Sequence, residues 1–270
     1  SQVRGRCNEG VVLTPLSEDK CILGVADRPV DFLIVGDSHA NHFTGMIGEM
    51  AMHANLRGYD VTQSQTIFLP REYSRFYYQD DILVEHKNFQ KRNRYLEELV
   101  ALKSYKAVVL GGSFIGYYNG SDATIGIHGN QDQMSDKAFE DAMTSVVGSI
   151  FDAGSKVFII KGNPILAGVS YECSLNNLRF NFNEVCSFDS KIHELNFEKW
   201  NVFLKELKLK FPAIIFIEPD QVICDQNNCV SEIDGVPLYL DSGHLNYMGS
   251  ELIGRKYLER FGNPLEVLNQ

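Results

Sequence analysis

The sequence predicts an α/β fold: a three-layer α/β/α sandwich in which helices cover both faces of a mainly parallel sheet. Short continuous apolar runs alternate along the chain with longer segments of helical period. Strands without polar alternation are typical of parallel sheets, which are buried on both faces and joined through helices. The runs cover residues 31–35, 107–111, 156–160 and 213–217, and each ends close to a Gly, Asn, Pro or Asp.

The segments between these runs carry apolar residues three and four positions apart, as amphipathic helices do. The predicted helices cover residues 42–55, 87–102, 136–151, 193–210 and 246–261. Residues 60–66 form a less regular run and are a further candidate strand. Because the alternation continues to the carboxyl end, we predict one domain over residues 31–270. Residues 1–30, with Pro15, Pro29 and two cysteines, are predicted to form an irregular extension or linker packed on that domain.

The composition limits the possible functions. Of the 270 residues 44% are hydrophobic, which suffices for a full core, and the formal net charge of −10 argues against a nucleic-acid partner. No stretch approaches the ~20 apolar residues of a membrane-spanning helix. The motifs GxGxxG, P-loop, GxSxG and HExxH are absent, so we predict neither a cofactor nor a metal site.

Two short motifs, about two hundred residues apart, carry the candidate chemistry. The first is Gly-Asp-Ser-His-Ala, which follows the first apolar run and precedes a helical segment, so Ser38 is expected at the carboxyl edge of the sheet. In the second, Asp241 precedes His244 by three residues. Asp241 can then accept from one imidazole nitrogen of His244 while the other faces Ser38, as a nucleophile, base and orienting group require. The alternatives are a helix N-cap for Ser38 and a plain turn for the second motif.

Two neighbours of the serine are interpreted as structural. Asp37 is expected to brace the turn by accepting backbone N–H groups. His39 is expected to point away from the Ser38 hydroxyl, because the two residues are adjacent at a helix start.

The six cysteines fall into three couples that are close in sequence. Local loops favour pairing of Cys7 with Cys21, Cys173 with Cys186, and Cys224 with Cys229. Fifteen pairings are possible, and six reduced buried thiols are the alternative. No Cys-x-x-Cys occurs, which argues against zinc. Disulfides would place the chain in an oxidising compartment.

The serine block together with Asp-x-x-His-Leu at residue 241 resembles the SGNH (GDSL-like) hydrolases. Within these hydrolases, the sequence resembles the periplasmic SGNH domain fused to bacterial acyltransferase family 3 membrane proteins. Those domains also have a cysteine pair ahead of the first strand and a short cysteine loop before the terminal motif. The resemblance implies an SGNH, flavodoxin-like fold and is weaker over residues 64–106 and 113–135.

The resemblance also implies an oxyanion hole built from the backbone N–H of Ser38, a glycine and an asparagine. Gly111 and Gly112, at the end of the second apolar run, fit the glycine block. The alternative is that they only form a turn after the strand. The sequence departs from the family at the asparagine block, because no Gly-x-Asn-Asp occurs. Asn163, after the third run, is the candidate substitute.

The family implies a serine-dependent O-acetyltransferase that modifies an envelope polysaccharide such as lipopolysaccharide O-antigen. Its acyl donor would be an integral-membrane acyltransferase domain, on the same polypeptide or a partner. The chain would then be periplasmic, tethered to the inner membrane through a missing N-terminal transmembrane domain, and monomeric when isolated. A free-standing secreted SGNH carbohydrate esterase or lipase is the first alternative. A carbohydrate-binding module with a vestigial triad is the second.

Residues 67–95 mix aromatic and basic side chains, which suits either sugar binding or packing on the domain itself. They are Phe68, Arg71, Tyr73, Arg75, Phe76, Tyr77, Tyr78, Lys91, Arg92 and Arg94. A turn signal over residues 117–120 could flank the site.

Overall fold

A computed structural model describes residue 7 and residues 21–102, 105–118, 124–130 and 133–270. The strands, in chain order, are β1 (Ile22–Gly24), β2 (Phe32–Gly36), β3 (Arg57–Thr62), β4 (Tyr73–Gln79), β5 (Ile82–Glu85), β6 (Ala107–Gly111), β7 (Thr124–Ile127), β8 (Lys156–Ile160), β9 (Ser187–Asp189), β10 (Ile215–Ile217), β11 (Asn228–Val230), β12 (Glu232–Ile233) and β13 (Val236–Pro237). The α-helices are α1 (Ser38–His42), α2 (Thr44–His53), α3 (Phe89–Ala101), α4 (Phe114–Tyr118), α5 (Asp136–Asp152), α6 (Cys173–Phe180), α7 (Ser190–Lys210), α8 (Asp220–Ile223) and α9 (Tyr247–Phe261). A 3₁₀ helix covers Pro264–Asn269.

The central sheet has the strand order β1-β3-β2-β6-β8-β10. The five strands from β3 to β10 are parallel, and only β1 runs antiparallel, on the edge beside β3. Strands β2, β6, β8 and β10 lie on the four predicted apolar runs, which confirms the mainly parallel sheet. The five predicted helices are also present, with small shifts at their ends.

Alternate residues of the parallel strands enter two separate cores. Leu33 and Val35 pack with side chains of α3, α5 and α7 on one face of the sheet. Phe32 and Ile34 pack with side chains of α2 and α9 on the other. Each face is therefore covered by helices, and the fold is the expected three-layer α/β/α sandwich. Among the described residues, no helix is long and apolar enough to cross a membrane.

The position of β3 differs from the prediction. The candidate strand was placed at residues 60–66, whereas β3 begins at Arg57 and ends at Thr62. Its first two residues, Arg57 and Gly58, are not part of an apolar run. Gly58 has no side chain, and the Phe32 ring of the neighbouring strand occupies the space that a side chain would fill. A Cβ at Gly58 would lie 2.3 Å from the Phe32 ring. The burial of this segment therefore depends on a side chain of the neighbouring strand.

Part of the N-terminal extension joins the sheet. Strand β1 pairs with β3 in the register Ile22↔Tyr59, and the disulfide Cys7–Cys21 ties residue 7 to the start of that strand. Residues 1–6 and 8–20 lie outside the described residues. The division of the chain at residue 30 stays a prediction.

The aromatic and basic segment contributes a second sheet that no pattern in the sequence predicted. Strands β5, β4 and β7 form it, all antiparallel, in the order β5-β4-β7. Its hairpin turns through Asp80 and Asp81, which have φ angles of 51° and 59°. Positive φ at both turn residues is typical of a type I′ hairpin, but Asp-Asp lacks the Asn-Gly or Asp-Gly signature of such turns.

The other two disulfides lie in the carboxyl-terminal half of the chain. Cys173, the first residue of α6, is bonded to Cys186 just before β9. Cys224, directly after α8, is bonded to Cys229 in β11. All three bonds join the couples that loop size favoured.

Candidate active site

Ser38 is the first residue of α1 and follows β2 by a single intervening residue. That residue, Asp37, is the N-cap of the helix, and its carboxylate accepts hydrogen bonds from the backbone N–H of His39 at 2.8 Å and of Ser113 at 3.0 Å. The bond to Ser113 links the serine turn to the loop that follows β6. The prediction that Asp37 braces the turn is therefore confirmed. Ser38 lies at the carboxyl edge of the sheet, where ligands of open α/β folds bind.

His244 and Asp241 lie in a loop that reaches the same edge of the sheet from the other end of the chain. The Nε2 atom of His244 lies 2.9 Å from the Ser38 hydroxyl oxygen, and its Nδ1 atom lies 2.9 Å from the Asp241 carboxylate. A carboxylate only accepts, so Nδ1 carries the proton and Nε2 is left to accept from Ser38. The three residues that the two motifs contributed therefore form one continuous hydrogen-bonded chain.

The loop itself holds Asp241 in place. Its Oδ1 atom accepts from the backbone N–H of Gly243 at 2.8 Å and of His244 at 2.7 Å. The backbone of Leu240 also bonds that of His244, at 2.7 Å, which closes the loop. Because Asp241 and His244 are three residues apart, a short turn lets the Asp241 carboxylate bind both the backbone and the ring of His244.

Opposing influences act on the pKa of Asp241. Partial burial raises it, while the backbone N–H groups of His244 and Gly243 and the imidazole of His244 lower it. The lowering influences prevail, so the pKa of the Asp241 carboxyl lies below its ordinary value. Asp241 is therefore ionised at neutral pH and can stabilise a positive charge on His244.

His39 does not point away from the site, so that expectation was wrong. Its ring packs against the ring of His244 with 4.3 Å between centroids, and it borders the same cavity as Ser38. The reason is that α1 begins at Ser38, so two successive side chains of its first turn both face the sheet edge. His42, one turn further, is buried and its Nδ1 atom accepts from the backbone N–H of Leu245 at 3.3 Å.

The candidate oxyanion-hole residues occupy different surroundings. Gly111 ends β6 beside Ala40 of α1, and a Cβ on it would lie 2.9 Å from the Ala40 Cα. Gly112 follows it, and a Cβ built there would lie 3.5 Å from a carboxylate oxygen of Asp37. Both glycines therefore lie beside the turn that holds Ser38. Their role in binding an oxyanion, with the Ser38 N–H, stays a prediction.

Asn163 is buried and anchors the loop of His244. Its amide Nδ2 donates to the carbonyl oxygens of Pro164 and Gly243, each at 3.0 Å. The hydroxyl of Tyr239 donates to the same Pro164 carbonyl at 2.9 Å. In this arrangement the Asn163 amide positions the histidine loop, and an oxyanion role would require it to change partners. Its assignment to the oxyanion hole stays a prediction.

A cavity of about 230 Å³ opens in front of Ser38 and His244. It is lined by Asp37, Ser38, His39, Gln65, Arg75, Ser113, Gly116, Tyr117 and His244. Gln65 and Gly116 belong to no motif, so sequence reasoning missed them, whereas Ser113 directly follows the two glycines of the predicted glycine block. Tyr117 fits the expected flanking segment, but it lies in α4 rather than in a turn, and residues 119–120 of that segment lie outside the described residues.

A larger cavity lies elsewhere. It measures about 460 Å³, lies between α3 and α5, and has Phe68, Val100 and Val146 in its wall. None of Ser38, Asp241 and His244 lines it. We therefore place the candidate chemistry in the smaller cavity, where the hydrogen-bonded side chains converge.

The chain is similar to known SGNH domains. A family model described as the SGNH domain fused to AT3 domains matches residues 6–259. Among solved structures, the chain is similar to the lipopolysaccharide acetyltransferase periplasmic domain of Salmonella ser. Paratyphi A, with a TM-score of 0.63 and 18% identity over 96% of this chain and 92% of that chain. It is also similar to a putative SGNH hydrolase from Slackia heliotrinireducens, with a TM-score of 0.49 and 13% identity over 87% of this chain and 100% of that chain. No curated protein matches the chain in sequence.

The family model spans the whole central sheet, both motifs and all three cysteine couples. The Salmonella structure, at this level of identity, shows that the two chains share a fold. The chain therefore belongs to the family of SGNH domains that are fused to AT3 domains.

Proposed function

We propose that this chain is the acetyl-transferring domain of an envelope-polysaccharide O-acetyltransferase, with Ser38 as nucleophile, His244 as base and Asp241 as orienting group. The single observation that carries the proposal is the hydrogen-bonded chain Asp241–His244–Ser38 at the mouth of a cavity. Membership of a family fused to AT3 domains, which are membrane proteins, supports transfer over simple hydrolysis. The similar Salmonella domain belongs to a lipopolysaccharide acetyltransferase, which supports a polysaccharide acceptor.

In the first half-reaction the Ser38 oxygen attacks the carbonyl carbon of an acetyl donor. His244 Nε2 takes the hydroxyl proton as the new C–O bond forms, and the imidazolium is stabilised by ionised Asp241. The tetrahedral intermediate then expels the donor group, which takes the proton back from His244. Ser38 is left as an acetyl ester. The donor group would be presented by the membrane-embedded acyltransferase domain.

In the second half-reaction a sugar hydroxyl takes the place of the donor group. His244 Nε2 removes the proton of that hydroxyl as its oxygen attacks the acetyl carbon. Collapse of the intermediate breaks the bond to Ser38, whose oxygen receives the proton from His244. Free enzyme and an acetylated sugar result. Water in place of the sugar would give hydrolysis, so the outcome depends on which nucleophile the cavity holds.

Both intermediates need hydrogen-bond donors aimed at the developing oxyanion. The backbone N–H of Ser38, at the amino terminus of α1, and the N–H of Gly112 are our leading candidates. The absence of a side chain at Gly111 allows α1 to approach the end of β6. Asn163 would join them only after releasing the loop carbonyls that it now binds.

The proposed location is the periplasm, next to the inner membrane. Three disulfides suit an oxidising compartment, and the AT3 fusion supports a membrane partner that delivers the acyl group. The acidic net charge does not suit nucleic acid. We propose that the domain acts on polysaccharide as a monomer.

The proposal is tested in cells that carry the full-length protein. Polysaccharide from cells with Ser38→Ala should lack the acetyl esters that NMR detects in the wild type. Ser145→Ala, an exposed serine of α5, is the matched control and should leave acetylation intact. Undiminished acetylation in Ser38→Ala would exclude a catalytic role and favour a docking or carbohydrate-binding module. Rapid acetate release to water by the purified chain would instead favour the esterase alternative.

A further inference from the structure

Arg75 of β4 is a buried cation in the wall of the cavity that holds Ser38 and His244. Its side chain is only 8% exposed. Its Nε and Nη1 atoms are buried and have no hydrogen-bond partner among the residues that the structure describes. A guanidinium has five N–H donors and is always charged, so leaving donors unpaired away from water is costly. Among the described residues that line this cavity, only Arg75 has buried side-chain atoms without a hydrogen-bond partner.

The described residues supply no counter-ion to Arg75. Within the part of the chain that the structure describes, no carboxylate lies within 4.0 Å of the Arg75 guanidinium. Asp37 lines the same cavity, but its carboxylate accepts from the N–H groups of His39 and Ser113. The closest favourable contacts are aromatic: the guanidinium carbon lies 5.0 Å from the Tyr77 ring centroid and 6.0 Å from that of Tyr117. Such contacts hold a cation in place without neutralising it.

Arg92 provides a comparison within the same segment. It is also buried and its Nε and Nη1 atoms are likewise unpaired, but its Nη2 atom donates to the backbone carbonyl of Val61, and it does not line the Ser38 cavity. Arg92 therefore supports the fold by binding the backbone of β3. Arg75 has no such role, and its charge faces the place where a substrate must lie.

We propose that Arg75 binds an anionic group on the acceptor, so that the cavity takes an acidic sugar whose negative substituent pairs with Arg75 while a hydroxyl faces Ser38. The inference rests on the proposed function for the identity of the acceptor as a sugar. The anion is a carboxylate, as in a uronic acid, or a phosphate substituent, because both pair with guanidinium. The cavity volume of about 230 Å³ lies below the usual range of drug-sized sites and suits one sugar unit. Tyr77 and Tyr117 hold the guanidinium in place for this contact.

Binding of single sugars to the purified 270-residue chain tests the proposal without requiring turnover. The probes are methyl galacturonoside, methyl galactoside and galactose 6-phosphate, with inorganic phosphate as the free anion, and affinity is measured by NMR titration. At least one acidic sugar should bind about tenfold more tightly than methyl galactoside, since one charged hydrogen-bonded pair is worth about that factor. Preference for the uronoside identifies a carboxylate, and preference for the phosphosugar identifies a phosphate. Inorganic phosphate that binds as well as either sugar would overturn the sugar site.

The variants assign the preference to Arg75. Arg75→Gln should abolish it, and Arg75→Lys should keep part of it, because the charge remains. Arg71→Gln is the matched control: Arg71 is exposed, pairs with Glu97 and does not line this cavity, so the preference should be unchanged. Circular dichroism of each variant establishes that it folds. If a folded Arg75→Gln keeps the preference, or if the wild type shows none, the proposal is wrong.

Two further measurements distinguish a failure of this inference from a failure of the proposed function. Ser38→Ala should keep the preference for acidic sugars, since the serine hydroxyl is not needed to bind an anion, so a failed acetylation test would leave the binding result standing. The second measurement is kcat of Arg75→Gln for a neutral aryl acetate, which has no anionic group. A large fall in that kcat with unchanged sugar binding would place Arg75 in the oxyanion hole and overturn its assignment to the acceptor.

Discussion

Gly36 and Gly111 lie side by side at the ends of β2 and β6, so close that a Cβ on Gly36 would lie 1.8 Å from the Gly111 carbonyl oxygen. Gly36 also has a φ of 141°, which residues other than glycine rarely adopt. The contact lets the chain turn sharply after β2. As a result Asp37 reaches the backbone of Ser113, and Ser38 begins α1 at the sheet edge. The geometry of the candidate nucleophile thus depends on two residues without side chains.

We expect Gly36→Ala to destabilise the chain by about 2–4 kcal/mol, because it adds both backbone strain and a steric overlap. The measurement is urea unfolding followed by circular dichroism. Gly48→Ala is the matched control: Gly48 lies in α2, and a Cβ added there would have no atom within 4 Å, so alanine should be neutral or stabilising by up to about 1 kcal/mol. Equal stability of the two variants would contradict a serine turn that depends on Gly36.

Ser38→Ala should remove the activity of the purified chain toward a small aryl acetate. We expect the wild type to be slow, since its natural donor would be presented by a membrane domain, and the variant to lose at least about a thousandfold in kcat/KM. The melting temperature should change little, because the Ser38 hydroxyl contacts His244 at the cavity and does not enter either core. Residual turnover equal to that of the wild type would mean that another group is the nucleophile.

Asp241→Asn should lower kcat/KM less than Ser38→Ala does, by a margin of about ten- to a hundredfold. The amide keeps the hydrogen bonds to the backbone of Gly243 and His244 but cannot stabilise a positive imidazole as a carboxylate does. The same aryl acetate assay measures both variants. If the two losses are equal, Asp241 does more than orient the histidine.

The lowered pKa of Asp241 predicts a pH dependence of stability. The native state binds this proton less tightly than the unfolded state, so ionised Asp241 stabilises the fold fully above its unfolded pKa, about 4. That contribution is lost as the pH falls through the lower native pKa. The difference in unfolding free energy between wild type and Asp241→Asn should therefore be larger at about pH 6 than near about pH 2.5. Asp152→Asn, at the exposed end of α5, serves as the control, and a difference that grows toward acid would contradict the sign.

The disulfides should differ in their contributions to stability. Removing Cys224–Cys229, which closes 5 residues, should cost about 2 kcal/mol, and removing Cys173–Cys186, which closes 13, about 3 kcal/mol, because longer loops restrict the unfolded chain more. Paired alanine variants and urea unfolding measure both costs. Equal costs would contradict the dependence on loop length.

The short loop should matter more for activity than the longer one. From β11 the chain continues to Ser231, whose carbonyl accepts from the backbone N–H of Leu238, and on to Asp241. Loss of Cys224–Cys229 should therefore reduce aryl acetate turnover more than loss of Cys173–Cys186. The reverse order would show that the path from β11 does not position the triad loop.

Much of the scaffold follows from the sequence. Strands β2, β6 and β8 could be predicted because both of their faces are buried, and a strand buried on both faces must be apolar throughout. The pairing of Asp241 with His244 could be predicted because the two residues are only three positions apart, and one turn brings their side chains together. The cysteine couples were favoured for the same reason, since short loops bring their ends together at low entropic cost.

Other features were decided only by the tertiary structure. His39 turns toward His244, Asn163 binds the loop carbonyls, and Arg75 reaches the Ser38 cavity from a second sheet that no sequence pattern indicated. In each case the direction of a polar side chain depends on a partner far away in the chain. Burial on both faces of a strand selects apolar residues along the strand, and this produces a local pattern in the sequence. Contacts between polar groups that are distant in the chain produce no such pattern, because they form only when the layers pack.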